Sequence, residues 1–219
     1  MNKCEFEEKF GTEYPKGWGS VEFDFIGRAL IFATRAHEGA TRKGTDIPYI
    51  GHPIEAAVVA MGVFAGKEAA NLGISDEVEV IVAALLHDVV EDTEYTIEDI
   101  EREFGDKVAK LVGYESEDKM RTLSAADSWK MRKVAFLEHL ATAPIQAKII
   151  CLGDKLSNMR QSAKTFEEQG DDMWLVFNQK DKKEQEWYYR SIYENISELK
   201  ETEAYKEYVA LCDKVFEVC

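Results

Sequence analysis

The sequence predicts an all-α protein of roughly ten helices. Apolar residues recur at three- and four-residue spacing along almost the whole chain, and no pair of segments reads as a hairpin. Prolines number only four, and three of them (Pro48, Pro53 and Pro144) fall where loops or helix starts are expected. The 219 residues suffice for one large domain or two small ones, and a 45% hydrophobic content supports a sizeable core.

The elements follow in order. Residues 21–36 carry Phe25, Leu30, Ile31, Ala33 and Thr34 at helical spacing. Residues 39–51 form a loop marked by Gly44, Asp46, Pro48 and Gly51. Pro53 suits the first position of the next helix, which runs through Ile54, Val58, Val59 and Val63 and breaks at Asn71-Leu72-Gly73. Ser75 is the expected N-cap of a helix over residues 76–90, with Asp76 and Glu77 in its first turn. Residues 80–86 are apolar on every side, as in a helix buried at the centre of a domain. The β-branched content of residues 78–82 leaves a buried strand as the competing expectation.

Thr96-Ile97-Glu98-Asp99 resembles a capping box with Asp in place of Glu. Phe104-Gly105 ends that short helix and Asp106 opens another. Helices over residues 128–140, 145–164, 172–177, 182–199 and 202–218 complete the set, and residues 115–126 are the most loop-like stretch. This divides the chain into an N-terminal extension, residues 1–20, and one domain, residues 21–219, with the C-terminal helices packed on it.

The formal charge of −15 argues against a nucleic-acid or anionic-membrane surface, since both require net positive contact charge. It leaves room for a small phosphorylated ligand held by a local basic patch. Cys4, Cys151, Cys212 and Cys219 match neither zinc-ligand spacing nor a disulfide framework. Reduced thiols in a cytoplasmic protein are the expectation. The polar, acidic N-terminus is no secretory signal, and the apolar runs are too short to span a bilayer.

Three segments bear chemistry. In Ala83–Thr93 an apolar run ends in His87-Asp88, followed by Glu91 and Asp92. On an unbroken helix His87 and Glu91, and likewise Asp88 and Asp92, share one side. An imidazole beside three acids suits a divalent cation and activation of water on it. In Arg42–Pro53, His52 directly precedes Pro53; taken alone, it also reads as a capping or loop histidine. In Ile149–Arg160, Asp154 interrupts an apolar helix, with Asn158 one turn on. A buried carboxylate needs a cation, hydrogen-bond donors or solvent. Pairing of Asp154 with Lys155 or Arg160 is the alternative. His37 and His139 read as structural or exposed.

The motifs Arg42-Lys43, Pro48-Tyr49-Ile50-Gly51-His52-Pro53, Ala84-Leu85-Leu86-His87-Asp88-Val89-Val90-Glu91-Asp92-Thr93, Phe104-Gly105 and Gly153-Asp154-Lys155-Leu156-Ser157-Asn158-Met159-Arg160 occur in one order. This ordered set, over residues 35–160, resembles the HD-domain hydrolases. Within them it is most similar to the hydrolase module of the RelA/SpoT alarmone enzymes and to the stand-alone small alarmone hydrolases, the Mesh1-like group. The resemblance implies an HD-domain helical bundle. It implies a metal on His52, His87, Asp88 and Asp154, usually Mn²⁺ in the family, a donor set that also accepts Fe²⁺, Co²⁺ or Zn²⁺.

Glu91 and Asp92 match the acids that position or deprotonate the attacking water; a solvated helix end is their bland alternative. Arg42 and Lys43 match the basic pair near the substrate phosphates, and Asn158 a nucleotide contact. Trp187 and Tyr188 match a late-helix aromatic that stacks on a purine, although rings at this spacing also simply pack a core. The implied activity is metal-dependent hydrolysis of guanosine 3′,5′-bis(diphosphate), releasing pyrophosphate from the ribose 3′ position to give GDP or GTP. Another phosphorylated nucleotide, such as the 2′-phosphate of NADPH, or a non-catalytic nucleotide-binding module are the alternatives. The partner is then a small nucleotide, with no nucleic acid and no membrane, and a homodimer is left open.

Two departures stand out. His52 and His87 lie 35 positions apart, several more than in the small hydrolases, with the excess around residues 64–75. In place of the Val-Thr-Lys-like motif of the full-length enzymes stands Gly113-Tyr114-Glu115-Ser116-Glu117-Asp118-Lys119. That stretch helps recognise the nucleotide in the relatives. The chain is also too short for a synthetase domain, so alarmone synthesis is not expected.

Overall fold

The computed structural model describes residues 19–67, 69–116 and 124–216. Among them are eleven α-helical segments, two of only four residues, and two 3-10 segments. The helices are α1 (Ser20–Ala36), α2 (Gly51–Ala65), α3 (Ala69–Leu72), α4 (Glu77–Leu86), α5 (Val89–Asp92), α6 (Ile97–Phe104), α7 (Asp106–Glu115), α8 (Trp129–Ala141), α9 (Ile145–Gln169), α10 (Lys182–Asn195) and α11 (Glu203–Phe216). The 3-10 segments are Gly170–Val176 and Ser197–Leu199. The fold is all-α; an isolated bridge between Thr41 and Pro48 is the sole β pairing among the described residues.

α4 is the centre. Every residue from Val80 to Leu86 is buried, as a helix apolar on all sides requires. Burying one Val, Leu or Ile contributes about 1.5–3 kcal/mol, so this run anchors α1, α2, α7 and α9 around it. The strand alternative for residues 78–82 is thereby excluded. α9 packs on α2, α4 and α11, while α10 packs on α8 and α11.

Gly153 sets the closeness of α9 to α2. A Cβ there would stand 2.6 Å from the Ala56 carbonyl oxygen, which is backbone and cannot turn aside. Glycine therefore lets the two helices meet at the level of His52 and Asp154.

Several boundaries differ from expectation. α2 begins at Gly51, with Ile50 as N-cap in helical conformation, so Pro53 is its third residue and His52 lies inside the first turn. α2 also stops at Gly66, which is extended. Asp76, not Ser75, caps α4. The helix over residues 76–90 breaks: α4 ends at Leu86, and Asp88 (φ −92°, ψ −5°) starts a separate turn as the N-cap of α5. The unbroken His87–Glu91 face is thus not formed. α9 continues to Gln169, where Gly170 at φ 58° ends it, and residues 182–199 divide at Ile196. The Thr96–Asp99 capping box and the Gly105 stop (φ 87°) are formed. Most of the N-terminal extension (residues 1–18) and residues 117–123 of the expected loop lie outside the described residues.

Candidate metal centre

Three separate stretches deliver the cluster. The loop before α2 is closed by the Thr41–Pro48 bridge and by Arg42 N–H to the Ile47 carbonyl (2.8 Å) and Tyr49 N–H to the Ala40 carbonyl (2.9 Å). Gly44 makes its turn at φ 75°. This closure delivers His52 in the first turn of α2. The α4–α5 break turns His87 and Asp88 inward, and α9 supplies Asp154, the residue after Gly153.

His52 Nε2 lies 3.2 Å from His87 Nε2, 3.2 Å from Asp154 Oδ1 and 3.2 Å from Asp88 Oδ2. His87 Nε2 lies 3.0 Å from Asp88 Oδ2 and 3.9 Å from Asp154 Oδ1. Ligand atoms of His52, His87 and Asp154 all fall within 4.8 Å of one another. His52, His87 and Asp154 are 3%, 1% and 5% exposed. His52 is thus a buried helix residue within this cluster and not a loop histidine.

The donor chemistry fits a divalent cation. His87 Nδ1 donates to the Ala84 carbonyl (2.8 Å), so its Nε2 lone pair points at two carboxylates and a second imidazole. Such a set is repulsive unless a cation or a proton sits within it. Burial opposes charge on His87, but Asp88 and Asp154 outweigh it and push the imidazole up to about 10. His52 is raised for the same reason, its burial overcome by Asp154 and Asp88. Burial works against both carboxylates too, yet the imidazoles hold Asp88 well below the usual range, and Lys155 with the imidazoles does so for Asp154.

The surroundings organise these groups. Asp154 also pairs with Lys155 and accepts from Asn158 Nδ2 at 2.6 Å. Arg160 instead reaches Glu55 and Glu207. Tyr49 donates to Asp88 Oδ2 (2.6 Å) and also approaches Asp92 Oδ2 (3.2 Å), linking the two acids on either side of α5. Its ring packs between His37 (4.8 Å, tilted) and His52 (5.6 Å, edge-on). Glu91 is half-buried and Asp92 exposed. Arg42 turns toward α9: it donates to Ser157 Oγ and to Asn158 Oδ1, both at 3.0 Å.

Beside the cluster opens a pocket of about 240 Å³. Lys43, Arg132, Lys133 and Lys155 line it together with three amides and four aromatic rings, and no carboxylate does. In a chain of net charge −15 that is a local reversal of sign. Lys43 stands 5.3 Å over the Phe177 ring, and Lys133 stands 4.6 Å over Tyr188. Tyr188 and Asn158 line this pocket; Trp187 does not, its ring packing against Trp129 (6.4 Å) under Lys130.

Sequence reasoning passed over Tyr49, Glu55, Ser157 and the Arg132-Lys133 pair, and weighed Lys155 only as an ion-pair partner of Asp154, which it is. Tyr49, Lys155 and Ser157 stood inside quoted motifs, next to presumed ligands. Nothing in the local pattern marked Glu55 or Arg132-Lys133, which reach the site only through helix packing. His37 is structural as expected, buried against Tyr49, and His139 is exposed against Tyr114.

A buried His/Asp cluster in an all-helical fold is an arrangement that could hold a divalent cation. The family model for the HD domain matches residues 29–180, and the chain belongs to the HD-domain family. Guanosine-3′,5′-bis(diphosphate) 3′-pyrophosphohydrolase MESH1 of Danio rerio is 38% identical over 130 residues, 59% of this chain and 64% of that protein. GTP pyrophosphokinase of Streptomyces coelicolor is 41% identical over 136 residues, 62% of this chain. The chain thus spans under two thirds of the first and only 14% of the second. A solved structure of a metazoan ortholog of SpoT that hydrolyzes ppGpp and plays a role in starvation responses superimposes with a TM-score of 0.61 at 27% identity, covering 94% of this chain and 97% of that one. None of the helices described here is long and apolar enough to cross a membrane.

Proposed function

We propose that this chain is a metal-dependent phosphohydrolase releasing pyrophosphate from the ribose 3′ position of guanosine 3′,5′-bis(diphosphate). The observation that carries the proposal is the contact between a two-His, two-Asp cluster and an acid-free cationic pocket walled by aromatic rings. That pairing suits a ligand with both a base and several phosphates. The similarity to proteins named for this activity agrees with it.

His52, His87, Asp88 and Asp154 would hold the ion, for which Mn²⁺ fits the mixed nitrogen and oxygen set. When bound, such a cation polarises a phosphoryl oxygen and acidifies water. Glu91 and Asp92 flank the cluster and would accept the proton of the attacking water, help worth about 10²–10⁴-fold. Tyr49 holds Asp92 next to Asp88 for that task. Lys43, from the pocket wall, and Arg42, through its hold on Asn158, offset the phosphate charge. Tyr188, itself buried, forms part of the wall beside the base, and Trp187 backs that wall through Trp129. We read residues 21–219 as a single domain preceded by an N-terminal extension, residues 1–20, and a cytoplasmic location suits its substrate.

The test is pyrophosphate release from ppGpp with and without Mn²⁺, set beside NADPH. Release from ppGpp alone supports the assignment; release only of phosphate from NADPH replaces it with the alternative substrate. Asp154→Ala should lose both metal retention and turnover, and full metal occupancy in that variant would refute the ligand set.

A further inference from the structure

We propose that Ser157 and Glu55 are positioning residues, forming a Glu55–Ser157–His52 hydrogen-bond chain that fixes the His52 ring for ion binding. The inference rests on the metal-centre reading above and extends it to two side chains outside the ligand set.

Ser157 is completely buried on α9, and its hydroxyl meets three groups. Glu55 Oε2 lies at 2.6 Å, His52 Nδ1 at 2.9 Å and Arg42 Nη1 at 3.0 Å. A hydroxyl has one proton and two acceptor lone pairs. A carboxylate oxygen can only accept, so the proton goes to Glu55. The guanidinium can only donate, so it takes one lone pair. The remaining lone pair faces His52 Nδ1, which must therefore carry a proton. Once neutral, as an ion requires, His52 is thereby held in the tautomer whose Nε2 is bare and aimed at His87, Asp88 and Asp154.

The chain is anchored at its far end. Arg160 Nη1 donates to Glu55 Oε1 at 3.0 Å while Nε and Nη2 grip Glu207 on α11 at 2.7 and 2.6 Å. Glu55 is one turn past His52 on α2, so α2, α9 and α11 together aim one ring. His87 differs, because its Nδ1 is fixed by the main-chain carbonyl of its own helix. Of the two imidazoles, only His52 has its orientation set by side chains, and so by substitution.

The test is calorimetric titration of chelator-treated protein with Mn²⁺ alone. Ser157→Ala should raise the Kd about 10–100-fold, with helix content unchanged because Ala suits a helix interior. Glu55→Ala should raise it in the same direction, and the double variant should bind no more weakly than Ser157→Ala. In the Zn²⁺-loaded protein, the His52 Nδ1 proton resonance should be present in wild type and lost to exchange in Ser157→Ala. A wild-type Kd in Ser157→Ala, or a double-variant loss equal to the product of the two singles, would overturn the chain. No nucleotide enters this test. Protein that binds Mn²⁺ with the expected variant pattern but releases no pyrophosphate from ppGpp would refute the substrate alone. Wild type that binds no Mn²⁺ would refute both.

Discussion

At the scale of single residues, His87 and Glu115 show burial acting with opposite outcomes. His87 is charged by its carboxylate neighbours in spite of burial, with its imidazole pushed up to about 10. An ion entering the cluster must therefore displace a proton at neutral pH. Mn²⁺ affinity should tighten as pH rises toward 10, and calorimetry in buffers of different ionisation heat should register at least about one proton released at pH 7, with His52 adding to it. Glu115, 6% exposed with Oε1 lacking a hydrogen-bond partner among the described residues, is pushed up to about 8 chiefly by burial. Its folded value lies above its unfolded one, so between pH 4.5 and 8 the folded state holds a proton that the unfolded state has lost. Its contribution is present below pH 4.5 and is lost as pH rises to 8. Glu115→Gln should match wild type near pH 5 and melt higher at pH 9, by roughly 2–4 °C per kcal/mol regained. Equal melting curves at pH 9 would contradict this.

At the scale of elements, the contact between α2 and α9 governs the site. Gly153→Ala gains up to about 1 kcal/mol of helix propensity. Against that stands a methyl 2.6 Å from a main-chain oxygen, and overpacking of this kind costs about 1–3 kcal/mol. The clash should win, because neither backbone can move alone. Urea unfolding should show net destabilisation, and Mn²⁺ binding should weaken because Asp154 is carried away from His52. The α4–α5 break is the second governing feature. It frees Asp88 from a continuous helix, so that one side chain meets His52, His87 and Tyr49 together.

At the scale of the molecule, the proposed ligands come from stretches up to 102 positions apart, counted from His52 to Asp154. An ion bound there ties α2, the α4–α5 turn and α9 across the core. Ligand present at a hundredfold excess over its Kd stabilises the native state by about 2.7 kcal/mol. Mn²⁺ should accordingly raise the melting temperature by several degrees, EDTA should reverse the rise, and Asp154→Ala should show neither change. The pocket is a property of this scale as well. Lys43 comes from the first loop, Arg132 and Lys133 from α8, and Lys155 from α9. Each is unremarkable in its own stretch, and only packing collects them into one cationic wall.

Periodicity was enough for the helices, since an apolar stripe or an all-apolar run records which faces are buried; α1, α4 and the Thr96 capping box were legible on that ground. The ligand candidates were legible as well, because a buried acid at Asp154 and a His-Asp pair closing an apolar run contradict local packing rules and so advertise a compensating partner. What the sequence alone determined was thus the all-helical class and the residues that needed one another. Tertiary structure decided their meeting: the interrupted helix at His87-Asp88, the close crossing at Gly153, and the bracing by Tyr49, Glu55 and Ser157. These depend on the approach of segments remote in sequence, and local pattern carries no record of the distance between them.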